Sequence, residues 1–205
     1  IGKDPYMFPL QFKNYFWFEL RQPEEDEVRK APSLDYRLSL TERQWKQMHA
    51  PLKKSLRDLL FEYLQKNRWF RGKARKIKDL TILDTIPFTA GEQAAHLLMI
   101  EVTYIQGKDE FYAIPMSLVL GEDVSEVRYR FPEAVISGVE VEGHEGILFD
   151  ASYDELFRDR LFRIILQRSK IKTKLGETSG LPGKKFGTRV KRSELPLPSR
   201  VLTAE

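Results

Sequence analysis

The 205-residue chain has no cysteine, which removes disulfides, thiolate zinc ligands and a thiol nucleophile together and suits a reducing compartment. Metal binding would rest on oxygen ligands and three histidines, but His49, His96 and His144 are 47 and 48 residues apart and fit no ligand-spacing motif. No apolar run reaches the length of about 18 residues that a spanning helix needs. The N-terminus also lacks the basic, apolar and small-residue succession of a signal peptide. The expectation is a soluble, cytoplasmic protein with no membrane partner. An excess of one charge is missing too, because 34 basic residues face 30 acidic ones for a formal +4. What is present, 41% apolar and 12% aromatic residues, is enough for one large domain or two small ones. The chain begins with Ile and ends with Glu, and we expect it to be a piece of a longer protein.

The charge is unevenly spread. Ten Lys and Arg between Arg168 and Arg200 face only Glu177 and Glu194, a local +8 that leaves the rest of the chain at −4. The same stretch holds Gly176, Gly180, Gly183, Gly187, Pro182, Pro196 and Pro198, a composition that resists helix and central strand alike and reads as a long, mobile connection. A second shift lies at PEEDEVRKAP, residues 23–32, with the signature of a charged linker.

Before that linker, YMFPLQFKNYFWFEL (residues 6–20) is dense in β-favouring aromatics and reads as two strands around Lys13-Asn14. An isolated pair of strands is marginal in water, so these belong to a sheet whose other strands lie elsewhere. From Leu40 to Phe70 the period is helical, with Leu52, Leu56, Leu59, Leu60, Tyr63 and Leu64 on one side, Pro51 in a first turn and Thr41 as a cap. Strands are expected at Ile77 to Leu83, His96 to Ile105 and Phe111 to Leu118, the latter two joined by a hairpin loop at Gln106 to Glu110. Val135 to Val141 and Gly146 to Phe149 add two more. Ser152 and Glu155 have capping-box spacing ahead of an apolar stripe of Leu156, Phe157, Leu161, Ile164 and Ile165. Strands wrapped around helices make an α+β domain.

Each candidate for chemistry has a plainer reading beside it. GLPGKK at Gly180 to Lys185 invites comparison with a phosphate-binding loop, yet Thr178 stands at the first glycine position and Lys185 replaces the hydroxyl that would hold magnesium. A flexible linker is the better reading. Neither a protein-kinase catalytic Asp-loop nor an Asp-Phe-Gly segment occurs. Asp150, Asp154, Glu155 and Asp159 cluster, but on the first turns of a helix they simply complement its dipole. Ser152 reads as a cap rather than a nucleophile. Arg68, Arg71, Lys73, Arg75, Lys76 and Lys78 interleave with Trp69 and Phe70 as in a nucleic-acid binder. The competing reading is a solvated basic face beside a buried Trp-Phe anchor, and the small net charge favours it. A small basic nucleic-acid-binding domain stays the alternative, although no such module signature is present.

The segment FEYLQKNRWFRGKARKIKDLTILDTIPF, Phe61 to Phe88, resembles the N-terminal cap of bacterial maltokinases. In that family a helix leads to Arg-Trp-Phe-Gly/Ala-Gly-Lys and then a strand. Here Arg68, Trp69, Phe70, Gly72 and Lys73 carry the motif, and Arg71 stands where the family has a small residue. The strand, Asp-Ala step and amphipathic helix of the family are matched by Phe149-Asp150-Ala151 and the apolar stripe after them. Ser199 to Glu205 is similar to the approach to the family's Glu-Gln-Ser-Asn-Thr-Ser segment in its nucleotide-binding lobe. Upstream, Tyr15-Phe16-Trp17-Phe18-Glu19-Leu20 resembles the closing strands of the trehalose synthase β-sandwich, and natural fusions join the two enzymes in this order.

The resemblance implies a curved antiparallel sheet packed on helices, called cystatin-like, with a short N-terminal β segment from a neighbouring domain. It divides the chain into sandwich strands at 1–22, a linker at 23–40, the cap at 41–135, and the start of an intermediate subdomain at 136–205 that includes the basic loop 168–200. The implied parent interconverts maltose and trehalose and phosphorylates maltose with ATP and magnesium to maltose 1-phosphate, which feeds α-glucan synthesis. Its catalytic residues lie outside these 205 residues, so no catalytic, cofactor or metal residue is assigned here, and the fragment alone is expected to be inactive. Its expected partners are the rest of the kinase and the trehalose synthase domains, with a homo-oligomer open through the parent, and not nucleic acid. Lys184, Lys185, Arg189, Lys191 and Arg192 stand beside the implied nucleotide lobe. They belong to a plain linker or lie near ATP phosphates in the complete enzyme.

Overall fold

A computed structural model describes residues 36–48, 50–90, 93–186 and 198–201. The expected strand pair at 6–20 and the linker up to residue 35 lie outside the described residues. In chain order the elements are β1 (Tyr36–Leu40), α1 (Glu42–Gln47), α2 (Ala50–Lys66), β2 (Ile77–Ala90), β3 (Gln93–Tyr104) and β4 (Glu110–Leu120). They continue with α3 (Asp123–Arg130), β5 (Val135–Val141), β6 (His144–Asp150), α4 (Glu155–Gln167), β7 (Lys170–Lys172) and β8 (Glu177–Ser179). Short 3-10 turns occupy Arg71–Ala74, Pro132–Ala134 and Ala151–Tyr153. No helix among the described residues is long and apolar enough to cross a membrane.

Six strands form one strongly curled sheet in the order β1-β5-β6-β4-β3-β2. All neighbours are antiparallel except β1 with β5, where Leu38, Ser39 and Leu40 run parallel to Val139, Glu140 and Val141. This corrects the linker boundary, because Tyr36–Leu40 is an edge strand of the sheet. The division expected at 135/136 falls at the first residue of β5, inside the same sheet. Tight turns set the registers. Glu142 (φ 52°) and Gly143 (φ 86°) both take left-handed conformations between β5 and β6, as the two-residue hairpins that match strand twist require.

The sheet is covered on both faces, and strand alternation decides which side chain goes where. On β3, Leu98, Ile100, Val102 and Tyr104 pack with Leu56, Leu60 and Leu64 of α2, while Leu97 and Met99 face the α4 side with Phe157 and Ile164. On β2 the faces exchange part-way. Leu80 and Ile82 join the α2 core, but Ile86 and Phe88, of the same parity, join the α4 cluster. The register slips between Ile82 and Asp84, and one extra residue at Leu83 turns every later side chain to the other face. On β6, Leu148 joins the α2 core and Ile147 and Phe149 pack with Val124 of α3.

The six stripe residues of α2 are all buried, from Leu52 at 6% exposure to Leu56, Leu60 and Leu64 at 0%. Each such side chain contributes about 1.5 to 3 kcal/mol on leaving water. Thr41 caps α1 in a full capping box, accepting from the Gln44 amide while Gln44 Oε1 accepts from the Thr41 amide at 2.8 Å. The cap of α4 differs from expectation. Residues 151–153 fold as a 3-10 turn, so Asp154, not Ser152, stands at the N-cap and accepts from the Leu156 amide at 2.9 Å.

Over residues 168–186, the basic C-terminal stretch is also more ordered than its composition suggests. Arg168 closes α4 in the left-handed region at φ 55°, and β7 and β8 then pair Ile171 with Thr178. Lys170 and Glu177 form a 2.7 Å ion pair across this hairpin, Ile171 packs against the α4 cluster, and the Gly180 amide donates to the Ser169 carbonyl at 2.9 Å. A Cβ at Gly180 would run into the main chain at Ile164 and Ile165, so this glycine permits close approach, not mobility. Local pairing of alternating residues outweighs the weak strand propensity of the segment.

Candidate functional site

The motif residues Arg68 to Lys73 leave α2 through a turn and enter the 3-10 turn Arg71–Ala74. Asn67 ends the helix, its side-chain Nδ2 donating to the Tyr63 carbonyl at 2.8 Å, and Lys73 Nζ reaches the Lys66 carbonyl at 3.4 Å. Consecutive side chains of the turn point apart. Phe70 is 2% exposed in the core with its ring 5.3 Å from that of Tyr112. Trp69 is 44% exposed, which corrects the expectation that both aromatics are buried. The core has room for one ring at this turn, and Trp69 instead leans on the edges of Tyr63 and Tyr112 at 6.2 and 6.1 Å between centroids.

Gly72 explains the glycine of the motif. A Cβ there would collide with the Tyr104 hydroxyl and the Phe70 ring, so only glycine lets the turn press onto β3. Behind it lies a polar knot. The Tyr104 and Tyr112 hydroxyls both donate to Glu110 Oε2, at 2.8 and 2.5 Å. Arg75 pairs with Glu110 Oε1 at 3.1 Å and lays its guanidinium 3.3 Å from the Tyr104 ring centroid. Hydrogen bonds from Tyr112 and Tyr104, helped by Arg75, hold the Glu110 carboxyl below its ordinary range. Burial and the bond to Glu110 raise the Tyr112 hydroxyl.

A second brace joins α2 to the end of β6. The buried Tyr63 hydroxyl donates to Asp150 Oδ2 at 2.8 Å, and Asp150 Oδ1 accepts from the Ser152 amide at 2.8 Å. Burial first, and then Asp150, push the Tyr63 hydroxyl well up. The Asp-Ala step has a packing logic: Asp150 supplies the acceptor and Ala151, 0% exposed, is small enough for the wall of the α4 cluster. The other clustered carboxylates are spread over structural tasks. Asp154 caps α4, and Asp159 pairs with Arg163 one turn on at 2.6 Å. In both braces the polar groups are engaged by one another, an arrangement suited to holding a helix on a sheet and not to moving a proton to an outside molecule.

Among the other sequence candidates, Arg68 is exposed at the turn. Lys184 and Lys185 occupy an exposed turn before Phe186, whose ring sits 5.1 Å from Phe162 of α4. Arg189, Lys191 and Arg192 lie outside the described residues. Arg158 of α4 binds Ser199 through its Nε to Oγ at 2.9 Å, which ties the C-terminal segment to the helix. Neither Tyr63 with Asp150 nor the Tyr-Glu-Arg knot was legible as a pair in the sequence, since the Tyr63 and Asp150 partners are 87 residues apart.

The braces coincide with a known domain. Residues 63–154 match the family model described as maltokinase N-terminal cap domain. This part of the chain has a maltokinase-related origin. The match opens at Tyr63 and closes at Asp154, so the Tyr63–Asp150 bond joins the two ends of the cap domain, and the Arg68 to Lys73 motif and the Glu110 knot lie inside it. No curated relative matches the chain.

Proposed function

We propose that the chain is the non-catalytic cap and linker segment of a bifunctional enzyme that interconverts maltose and trehalose and phosphorylates maltose with ATP to maltose 1-phosphate. The observation that carries this reading is the cap-domain match over residues 63–154, on a sheet whose tyrosines and carboxylates brace the fold. The fusion to trehalose synthase rests on the resemblance of residues 15–20 to its closing strands, which lie outside the described residues. The remainder of the kinase, the trehalose synthase domains and a cytoplasmic location belong to the same proposal.

ATP and magnesium are implied by the parent reaction, and the described residues do not fit a magnesium site. No group of three or more His, Asp or Glu among them could hold a metal ion, and Asp150 is engaged by Tyr63 and Ser152. Phosphoryl transfer needs metal-holding carboxylates and a cradle for the phosphates, so no step of it is derived from these residues. The test is direct: the purified protein, given maltose, ATP and magnesium, should yield neither maltose 1-phosphate nor trehalose. Formation of either product would overturn the non-catalytic reading.

A further inference from the structure

Away from the motif, a cavity of about 300 Å3 opens between α1, α2, β2, β3 and the end of β7. Its floor is His96, an imidazole in an otherwise apolar stretch of β3, 3% exposed and set edge-on to Trp45 with ring centroids 4.9 Å apart. Neither ring nitrogen, both of them closed to solvent, makes a hydrogen bond of good geometry, and the Trp45 backbone, a looser hydrogen-bond partner, favours the charged ring somewhat. Buried polar groups almost always find a partner, and the one His96 has is weak.

The walls are cationic. Lys46, Lys53, Lys172 and Lys174 line the cavity against a single carboxylate, Asp84. Lys46 is shared with Glu42 at 3.1 Å, and Asp84 Oδ1 already accepts from the Thr85 amide at 2.8 Å. The side-chain ammonium groups of Lys53, Lys172 and Lys174 make no hydrogen bond or ion pair among the described residues. Burial and the Lys174 charge make the Lys53 ammonium less favourable than usual, with Asp84 opposing. Like charges gathered over a buried imidazole destabilise one another until something negative and rich in acceptors comes between them.

We propose that this cavity binds a phosphate group, free or as a monoester, through Lys53, Lys172 and Lys174 over His96. A phosphate dianion offers several acceptor oxygens for the three ammonium groups, and the buried His96 ring beneath them senses its charge. The volume is at the small end of ligand sites, which suits inorganic phosphate or a phosphorylated compound of sugar size. The β7–β8 hairpin gives the basic stretch a second purpose here, because Lys172 and Lys174 reach the cavity only when the hairpin is folded against the sheet. The charged groups that face His96 are Lys46 from α1, Lys53 from α2, Asp84 from β2, and Lys172 and Lys174 from the hairpin. Phosphate binding at this cavity does not depend on the maltokinase assignment.

The test is a titration of the protein with inorganic phosphate, and separately with glycerol 3-phosphate, at ionic strength held constant with sodium chloride. The imidazole NMR signals of His96 and of exposed His144 are followed. The expected result is a saturable shift of His96 alone, weakened at least tenfold by Lys53→Gln with Lys174→Gln and unchanged by Lys78→Gln on β2. Lys174→Gln alone, at an exposed position, should weaken binding by a smaller factor without altering the fold. Tighter binding of glycerol 3-phosphate than of inorganic phosphate makes the occupant a monoester, and equal or weaker binding makes it the free ion. A His96 signal that does not saturate, or phosphate affinity unchanged in the double variant, would overturn the proposal.

Discussion

Helices α2 and α4 carry apolar stripes of similar clarity in the sequence, and the structure treats them differently. All six stripe residues of α2 are buried, whereas of five on α4 only Phe157 and Ile164 are, with Leu156 left 51% and Leu161 38% exposed. The difference lies in what each helix meets. The curled sheet wraps α2 so that strands β1 to β6 all send side chains into one core with it, while α4 lies on the opposite face against β2, β3 and a short hairpin. Periodicity shows which side of a helix is apolar, and the tertiary surroundings set how much of that side is covered.

The largest effects should come from the wrapped side. Leu60→Ala, at a fully buried position, is expected to cost about 2 to 5 kcal/mol, and Phe70→Ala about 3 to 5 kcal/mol, both read from denaturant unfolding midpoints. If Leu161→Ala on α4 costs as much as Leu60→Ala, the contrast between the two helices is wrong. The expectation there is within about 1 kcal/mol.

Acid should sharpen the comparison within the α2 side. Burial, reinforced by Lys53, holds His96 down to about 4 from an ordinary 6.5. The unfolded chain therefore takes up a proton below about 6.5 that the folded chain refuses until about 4, and stability falls as pH drops through that window, by about 3 kcal/mol in all. His96→Phe should flatten the unfolding free energy between these limits, and a variant with the parent's pH profile would contradict the assignment. Next in size is Tyr63→Phe, which strips Asp150 Oδ2 of its donor. Leaving a buried acceptor unmet costs about 1 to 3 kcal/mol, measurable as a drop in Tm. Smallest is Trp69→Ala, expected at about 1 kcal/mol from its lost contacts with Tyr63 and Tyr112. A loss as large as that for Phe70→Ala would place its ring in the core after all.

Much of this architecture is readable in the sequence because local rules and tertiary packing agree. The α2 stripe, the Thr41 cap and the five strands β2 to β6 come from period, capping chemistry and turn residues. What escaped depends on partners distant in sequence or on a single residue of register. Strand β1 looked like linker because five residues carry little period of their own and find their ladder only at β5. The face exchange on β2 comes from the extra residue at Leu83, which no hydrophobic pattern announces. Ser152 had the right spacing for a cap, but the 3-10 turn at 151–153 moved the helix start to Asp154. Trp69 and Phe70 were indistinguishable by composition, and only the space between α2, Tyr104 and Tyr112 separates them. Of the candidate site, the motif itself was legible and its purpose was not, since the collision that requires Gly72 comes from Tyr104 on another strand.

A chimeric kinase puts the cap assignment to the sharpest test. Residues 63–154 of this chain would replace the corresponding cap domain of an active maltokinase, and ATP-dependent formation of maltose 1-phosphate would be measured. The expected outcome is a folded chimera whose activity stays within about tenfold of the parent, because the transplanted segment braces and closes the fold without supplying chemistry. A chimera that folds but forms no maltose 1-phosphate would contradict the assignment.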